Sequence, residues 1–173
     1  MSVRLLRACA LHRHMEVLSL LINGSIVAAS AVAAGQVVYL PNGMVGYTWA
    51  RKYRLAAPSG DNRFRILWSL DSPELAFLVT NPFDGFPDYE IELPTEDARF
   101  LNVERPDDLA VLVTVGLSEG IERPLANLMA PIVVNTVSGV AVQVALHECG
   151  YEARTPMSAL GAFASSDMLR QAA

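Results

Sequence analysis

Short apolar runs separated by turn residues predict an all-β fold. The clearest runs are LAVLVTVGL at 109–117, PIVVNTV at 131–137 and VAVQVAL at 140–146. All three are rich in valine, which favours strands, and Ser138-Gly139 between the last two predicts a hairpin turn. Earlier apolar runs that are also bounded by turn residues predict further strands at QVVYL (36–40), Tyr53 to Ala56, RFRILWSL (63–70) and ELAFLVTN (74–81).

The segment DYEIEL at 88–93 alternates acidic residues at 88, 90 and 92 with apolar residues at 89, 91 and 93. In a strand this spacing exposes one face to solvent and packs the other against a core. The stretch between Pro94 and Pro106 is the best helix candidate, with Thr95 as its N-cap and acidic residues in its first turn.

The N-terminal apolar run has two interpretations. VLSLLI (17–22) and SIVAA (25–29) flank an Asn23-Gly24 turn signal and predict a hairpin. Arginines ahead of an apolar run also resemble a secretory signal over residues 1–34, which would make the protein a secreted or periplasmic β-domain. The polar turn residues in the run favour the strands, and they leave no uninterrupted stretch of about 20 apolar residues for a membrane span.

The length of 173 residues fits one domain. We assign the folded domain to residues 15–157, preceded by an extension at 1–14 and followed by a weakly patterned tail at 158–173. Met15 is an alternative start site.

Acidic residues are concentrated in the middle of the chain. Residues 71–108 contain 11 acidic side chains against two arginines, a net charge of −9 in a protein whose formal net charge is −5. Such a surface repels nucleic-acid phosphates and attracts basic proteins, and it equally serves solubility.

Catalytic and metal-binding motifs have little support. His147 and Cys149 would share one face of a strand with Glu148 on the other, so the three do not converge; a small hydrolase using Cys149 and His147 is the remaining enzymatic alternative. The acids at 84–92 lack the ligand spacing of a calcium loop, and Pro87 interrupts them. We therefore predict no metal, no cofactor and no enzymatic activity.

The loop TNPFDGFPDYE at 80–90 combines prolines with large aromatic residues. Such a composition is typical of a surface that binds another protein. The alternative is that the aromatic side chains turn inward and fill the core.

Several segments resemble the flagellar assembly factor FliW family in order and spacing. They are VVYLPNGMVGY (37–47), LDSPELAFLVTNPFDGFPDYEIELP (70–94), DDLAVLVTVGL (107–117), ANLMAPIVVNT (126–136) and VALHECGYEAR (144–154). The resemblance covers residues 22 to 156 approximately. Two departures are Thr155 after Arg154, where the family commonly has histidine, and the absence of basic residues from VSGVAV at 137–142.

The resemblance implies a small antiparallel β-barrel-like single domain with one or two short helices. It implies a cytoplasmic, non-enzymatic regulator, monomeric when free, that contacts neither nucleic acid nor membrane. Its partners would be CsrA, a basic RNA-binding regulator of translation, and flagellin, which competes with CsrA. Binding of CsrA would relieve the repression of flagellin translation.

We place the predicted protein-binding surface on the loop at 81–89 and the segment 127–135. Its candidate residues are Asn81, Pro82, Phe83, Phe86, Pro87, Tyr89, Asn127, Leu128, Met129 and Asn135. The three asparagines have an alternative role as turn and strand-end residues that satisfy local backbone groups.

Overall fold

The computed structural model describes residues 20–23, 33–57, 63–103, 105–120, 122–147 and 149–157. These residues form eleven β-strands, one α-helix and two short 3₁₀ helices, at Pro82–Asp84 and Pro106–Asp108. The first six strands are Leu20–Asn23 (β1), Val37–Tyr39 (β2), Lys52–Ala56 (β3), Phe64–Ser69 (β4), Ala76–Thr80 (β5) and Glu90–Leu93 (β6). After the helix Thr95–Leu101 (α1) come Leu109–Gly116 (β7), Leu125–Ala126 (β8), Ile132–Asn135 (β9), Ala141–Gln143 (β10) and Thr155–Pro156 (β11).

The main sheet has the strand order β10-β9-β7-β5-β4-β3-β2, with antiparallel pairing throughout. β7 also pairs with β8, which pairs with β11. β1 and β6 form a separate antiparallel pair, with Ile22 opposite Ile91. The all-β prediction is therefore confirmed.

The two outer strands of the main sheet approach each other and make it barrel-like. The amide of Tyr39 donates a hydrogen bond to the carbonyl oxygen of Gly139 at 2.8 Å, and Tyr39 forms a parallel bridge with Val140. Nearby, the Gln36 side chain donates to the Thr136 carbonyl at 2.8 Å. This short seam, and not a continuous ladder, joins β2 to the β9–β10 hairpin.

The core lies along β7 and β9. All four residues of β9 are buried, and Leu109 to Val113 of β7 are buried as well, so both faces of these strands are covered. α1 adds Leu101, which is 1% exposed. Since each fully buried aliphatic side chain contributes about 1.5–3 kcal/mol, this central region carries much of the stability.

The alternation predicted for the acidic strand is confirmed. Tyr89, Ile91 and Leu93 are each at most 2% exposed, while the acidic residues between them face outward. β7, β9 and β10 confirm the valine-rich strands, and Gly139 lies in the turn of the predicted hairpin with φ +75°.

One local prediction, the predicted hairpin, is tested only in part, and another, the Thr95 cap, needs correction. β1 confirms a strand at 20–23, but its observed partner is β6, and the strand predicted at 25–29 lies outside the described residues. α1 already includes Thr95, with Pro94 as the flanking residue and no side-chain cap. Pro94 (φ −55°, ψ 145°) lies at the cap position, so Thr95 falls inside the first turn. Its hydroxyl is buried without a hydrogen-bond partner among the described residues.

Candidate protein-binding surface

The loop after β5 is held in shape by its own polar groups. The Asn81 side-chain oxygen accepts a hydrogen bond from the Phe83 amide at 3.2 Å, and its nitrogen donates to the Asp84 carboxylate at 3.0 Å. The carbonyl of Pro82 accepts from the amides of Gly85 and Phe86 at 3.1 and 2.8 Å. Asn81 therefore caps a 3₁₀ turn, which is the local structural role foreseen as its alternative.

Tyr89 ends this loop inside the core. Its side chain is 2% exposed, and its hydroxyl donates a hydrogen bond to the Leu128 carbonyl at 2.7 Å. Its ring packs edge-on against the Tyr151 ring, with the ring centroids 4.7 Å apart. The centroid of the Phe83 ring lies 6.0 Å from that of Tyr89. Burial raises the pKa of Tyr89 well above its ordinary value, so the core favours the protonated form that donates this bond.

The remaining loop residues differ in exposure. Phe83 and Phe86 are half-buried and pack against the core, while Pro87 is exposed. Pro82 is buried. The prediction of an outward-facing aromatic loop is thus wrong for Tyr89, because apolar side chains of the domain surround its ring, and it holds in part for the two phenylalanines.

The hydrogen bond from Tyr89 to Leu128 holds the second predicted segment beside the loop. Leu128 is 4% exposed, and its amide donates to the Glu152 carbonyl at 3.1 Å. Met129 follows with 37% exposure, and its carbonyl accepts from the Leu146 amide at 2.8 Å. Asn127 is half-buried, and its side-chain oxygen is buried without a hydrogen-bond partner among the described residues.

Asn135 belongs to the fold and not to an accessible surface. It is 5% exposed, and its oxygen accepts from the amides of Val137 and Ser138 at 2.9 and 3.1 Å. Its nitrogen donates to the Leu101 carbonyl at 2.9 Å, which ties the end of β9 to the end of α1. These contacts correct the expectation that Asn135 is available to a partner.

The ten predicted residues therefore separate into two groups. The accessible or partly accessible ones are Phe83, Phe86, Pro87, Asn127 and Met129. The buried ones are Asn81, Pro82, Tyr89, Leu128 and Asn135. The structure brings the loop and residues 127–129 together, with buried residues supporting exposed ones.

Acidic side chains continue from this surface along the chain. Asp84 and Asp88 in the loop, Glu92 in β6 and Glu96 in α1 are all exposed. Part of the negative charge counted in the sequence thus lies on the outside of the loop, β6 and α1.

A cleft of about 240 Å³ next to Asn127 was not foreseen from the sequence. Its lining comes from Thr114, Gly116, Ser118, Leu125, Asn127, Ala153 and Arg154. The Arg154 guanidinium donates to the Ser118 hydroxyl at 3.1 Å and to the Glu119 carboxylate at 3.3 Å. The lining residues come from three separate stretches of the chain, so no local motif marks the cleft.

The thiol considered for catalysis contacts the backbone of His147. Cys149 is half-buried, and its thiol lies 3.6 Å from the His147 carbonyl oxygen, while the His147 side chain is exposed. Within the described part of the chain, no group of three histidine, cysteine, aspartate or glutamate side chains could hold a metal ion. No helix in those same residues is long and apolar enough to cross a membrane.

Fold and surface together define a mostly antiparallel β protein with one short α-helix and an acidic exposed side. The family model "FliW protein" matches residues 22–157. The chain belongs to the FliW family.

Individual relatives agree with this assignment. The flagellar assembly factor FliW of Bacillus licheniformis is 38% identical over 122 residues, which cover 70% of this chain and 85% of the relative. The FliW proteins of Bacillus subtilis and Magnetococcus marinus are each 33% identical, over 70% of this chain and over 85% and 75% of their own lengths. A crystal structure of a flagellar assembly factor FliW superposes with a TM-score of 0.66 at 27% identity, covering 76% of this chain and 92% of that one.

Proposed function

We propose that this protein is a cytoplasmic, non-enzymatic regulator of flagellum assembly that binds CsrA and flagellin in alternation. Binding of CsrA relieves its repression of flagellin translation, and flagellin displaces CsrA when it accumulates before export. Membership of the FliW family is the observation that carries this proposal.

The charge distribution supports a basic partner. Asp84, Asp88, Glu92 and Glu96 are exposed, and residues 71–108 carry a net charge of −9. A negative surface steers a positively charged protein such as CsrA toward itself and repels nucleic acid. CsrA association should therefore weaken as the salt concentration rises.

The contact surface in this proposal consists of Phe83, Phe86, Pro87, Asn127 and Met129. Half-exposed aromatic side chains and methionine are enriched at protein interfaces. The buried residues Tyr89 and Leu128 fix the loop against residues 127–129, so that the surface is preformed before a partner binds.

Size-exclusion chromatography with light scattering on the full chain tests the proposal. The protein is run alone, with CsrA, and then with CsrA and flagellin from the same genome. We expect co-elution with CsrA that is lost when flagellin is added. Elution as a lone monomer in every mixture would overturn the partner switch.

A matched pair of charge reversals tests the acidic surface. Asp88→Lys removes an exposed carboxylate within the loop, whereas Glu122→Lys makes the same charge change in the β7–β8 connection. We expect Asp88→Lys to weaken CsrA binding more than Glu122→Lys does. Equal losses would assign the effect to net charge alone.

A further inference from the structure

The outer face of β2, β3 and β4 combines aromatic, aliphatic and basic side chains. The strand register aligns Val37 with Arg54, Arg54 with Trp68, and Tyr39 with Lys52. Because residues directly opposite each other in a sheet share a face, these five side chains form one surface. We call Val37, Tyr39, Lys52, Arg54 and Trp68 the basic-aromatic face.

The basic-aromatic face is open to solvent. Val37 is 43% exposed and Tyr39 38%, Lys52 and Arg54 are exposed, and Trp68 is half-buried. Within the described residues neither Lys52 nor Arg54 forms an ion pair. The opposite face of β3 carries buried Tyr53 and Leu55, so the strand alternates fully between core and surface.

The charge of this region is opposite to that of the rest of the protein. Residues 33–57 and 63–70 contain five basic side chains and no acidic one, in a chain with a formal net charge of −5. The carboxylate that follows, Asp71, accepts hydrogen bonds from the backbone amides of Arg51 and Lys52 at 2.7 and 2.8 Å. It is therefore engaged with the β3 backbone at the end of the face.

The dimensions of the face fit a single helix. Neighbouring strands are about 4.8 Å apart, so the three strands from β2 to β4 span about 10 Å between their axes. An α-helix with side chains has a diameter of about 10–12 Å. A helix lying along β2 would set its apolar stripe on Val37 and Tyr39 and turn the carboxylates of one flank toward Lys52 and Arg54 on the neighbouring strand β3. Trp68, opposite Arg54 on β4, would lie at the edge of such a helix.

We propose that the basic-aromatic face docks an amphipathic helix of a partner protein, one that carries carboxylates beside a stripe of aliphatic residues. The positive charge of the face disfavours a basic partner there, so this site is separate from the acidic surface described above. Two exposed cations among apolar side chains are few for a phosphate backbone or an anionic membrane, which favours a protein segment.

Fluorescence of Trp68 reports binding directly. The chain has two tryptophans, and Trp49→Phe leaves Trp68 as the only one. The probe is a helical peptide of about 18 residues with leucines on one side and glutamates flanking them. A matched peptide has lysine in place of every glutamate. We expect the glutamate peptide to shift the Trp68 emission to shorter wavelength and the lysine peptide to leave it unchanged.

Charge reversal on the protein completes the test. Lys52→Glu/Arg54→Glu should lower the affinity for the glutamate peptide by about tenfold or more and allow the lysine peptide to bind. Arg105→Glu/Arg123→Glu makes the same change in net charge at exposed positions elsewhere and should alter affinity by less than about twofold. Circular dichroism of each variant shows that it is folded.

Four outcomes would overturn the proposal. They are no emission shift up to about 1 mM glutamate peptide, equal shifts with both peptides, no effect of Lys52→Glu/Arg54→Glu, and tighter binding of single-stranded DNA or anionic vesicles than of the peptide. None of these measurements uses CsrA or flagellin, so their result is independent of the partner-switch experiment.

Discussion

The hydroxyl of Tyr89 and the carbonyl oxygen of Leu128 are joined by a hydrogen bond of 2.7 Å, although the residues are 39 positions apart. Both residues are buried. The bond fixes the loop at 81–89 against residues 127–129, and the exposed side chains Pro87 and Met129 belong to the two segments that it connects. The shape of the candidate surface is therefore set by a contact inside the core.

Tyr89→Phe removes this bond and keeps the ring. We expect the free energy of unfolding to fall by about 1–2 kcal/mol, because the buried Leu128 carbonyl loses its donor. Urea denaturation at pH 7 measures the change. Tyr39→Phe is the control. Because Tyr39 is 38% exposed, this variant should differ from the wild type in its free energy of unfolding by no more than about 0.5 kcal/mol. Equal stabilities of the two variants would show that the bond contributes nothing.

Met129→Ala separates binding from folding better than substitution of the loop aromatics. Met129 is 37% exposed, so truncation should change stability by less than about 1 kcal/mol while it weakens CsrA or flagellin binding. Phe83→Ala should cost about 1–3 kcal/mol, since Phe83 packs against the core and the Tyr89 ring. Titration calorimetry and urea denaturation on both variants check this. Unchanged binding by Met129→Ala would exclude Met129 from the surface.

Local patterns predicted the strands well because the information lies within a few residues. The strand at 88–93 can be predicted from the alternation of its own acidic and apolar residues, and β7 and β9 from their valine-rich composition. Family resemblance added the barrel-like arrangement, which no single segment encodes.

Long-range contacts account for what the sequence did not reveal. β1 pairs with β6 across about 70 residues, and an Asn-Gly signal cannot exclude a distant partner. The alternation predicts that Tyr89 faces inward, but not its partners Leu128 and Tyr151, which lie far along the chain. Thr95 was predicted as a cap from residue type alone, although the position of Pro94 decided where the helix begins.

Gly139→Ala tests the seam that brings the outer strands of the sheet together. A Cβ at this position would lie 2.5 Å from the Val37 carbonyl oxygen, and φ is +75°. Gly120→Ala is the matched control, because Gly120 has φ +92° with nothing within 4 Å of the added atom. Backbone strain alone should cost about 1–2 kcal/mol at Gly120. We expect Gly139→Ala to cost at least about 1 kcal/mol more, because β2 must move. Equal losses in urea denaturation would mean that the seam adds no stability.

The buried hydroxyl of Tyr53 should make the free energy of unfolding depend on pH in the alkaline range. Burial, followed by the nearby Asp71 carboxylate, raises the pKa of Tyr53 from 10.0 to about 12. The fold therefore favours the protonated form. This contribution is complete below pH 10 and is lost as the pH rises from 10 toward 12.

Tyr53→Phe has no proton to lose at this position. We expect the variant to be less stable than the wild type at pH 8, because the hydrogen bond from the Tyr53 hydroxyl to the Ala50 carbonyl at 3.1 Å is absent. Above about pH 10 its stability should fall less steeply, so that the two curves converge. Urea midpoints between about pH 8 and 11 give both curves. Parallel curves would mean that Tyr53 ionises equally well in the folded and unfolded chain. Burial of its hydroxyl would then make no contribution to the pH dependence of the free energy of unfolding.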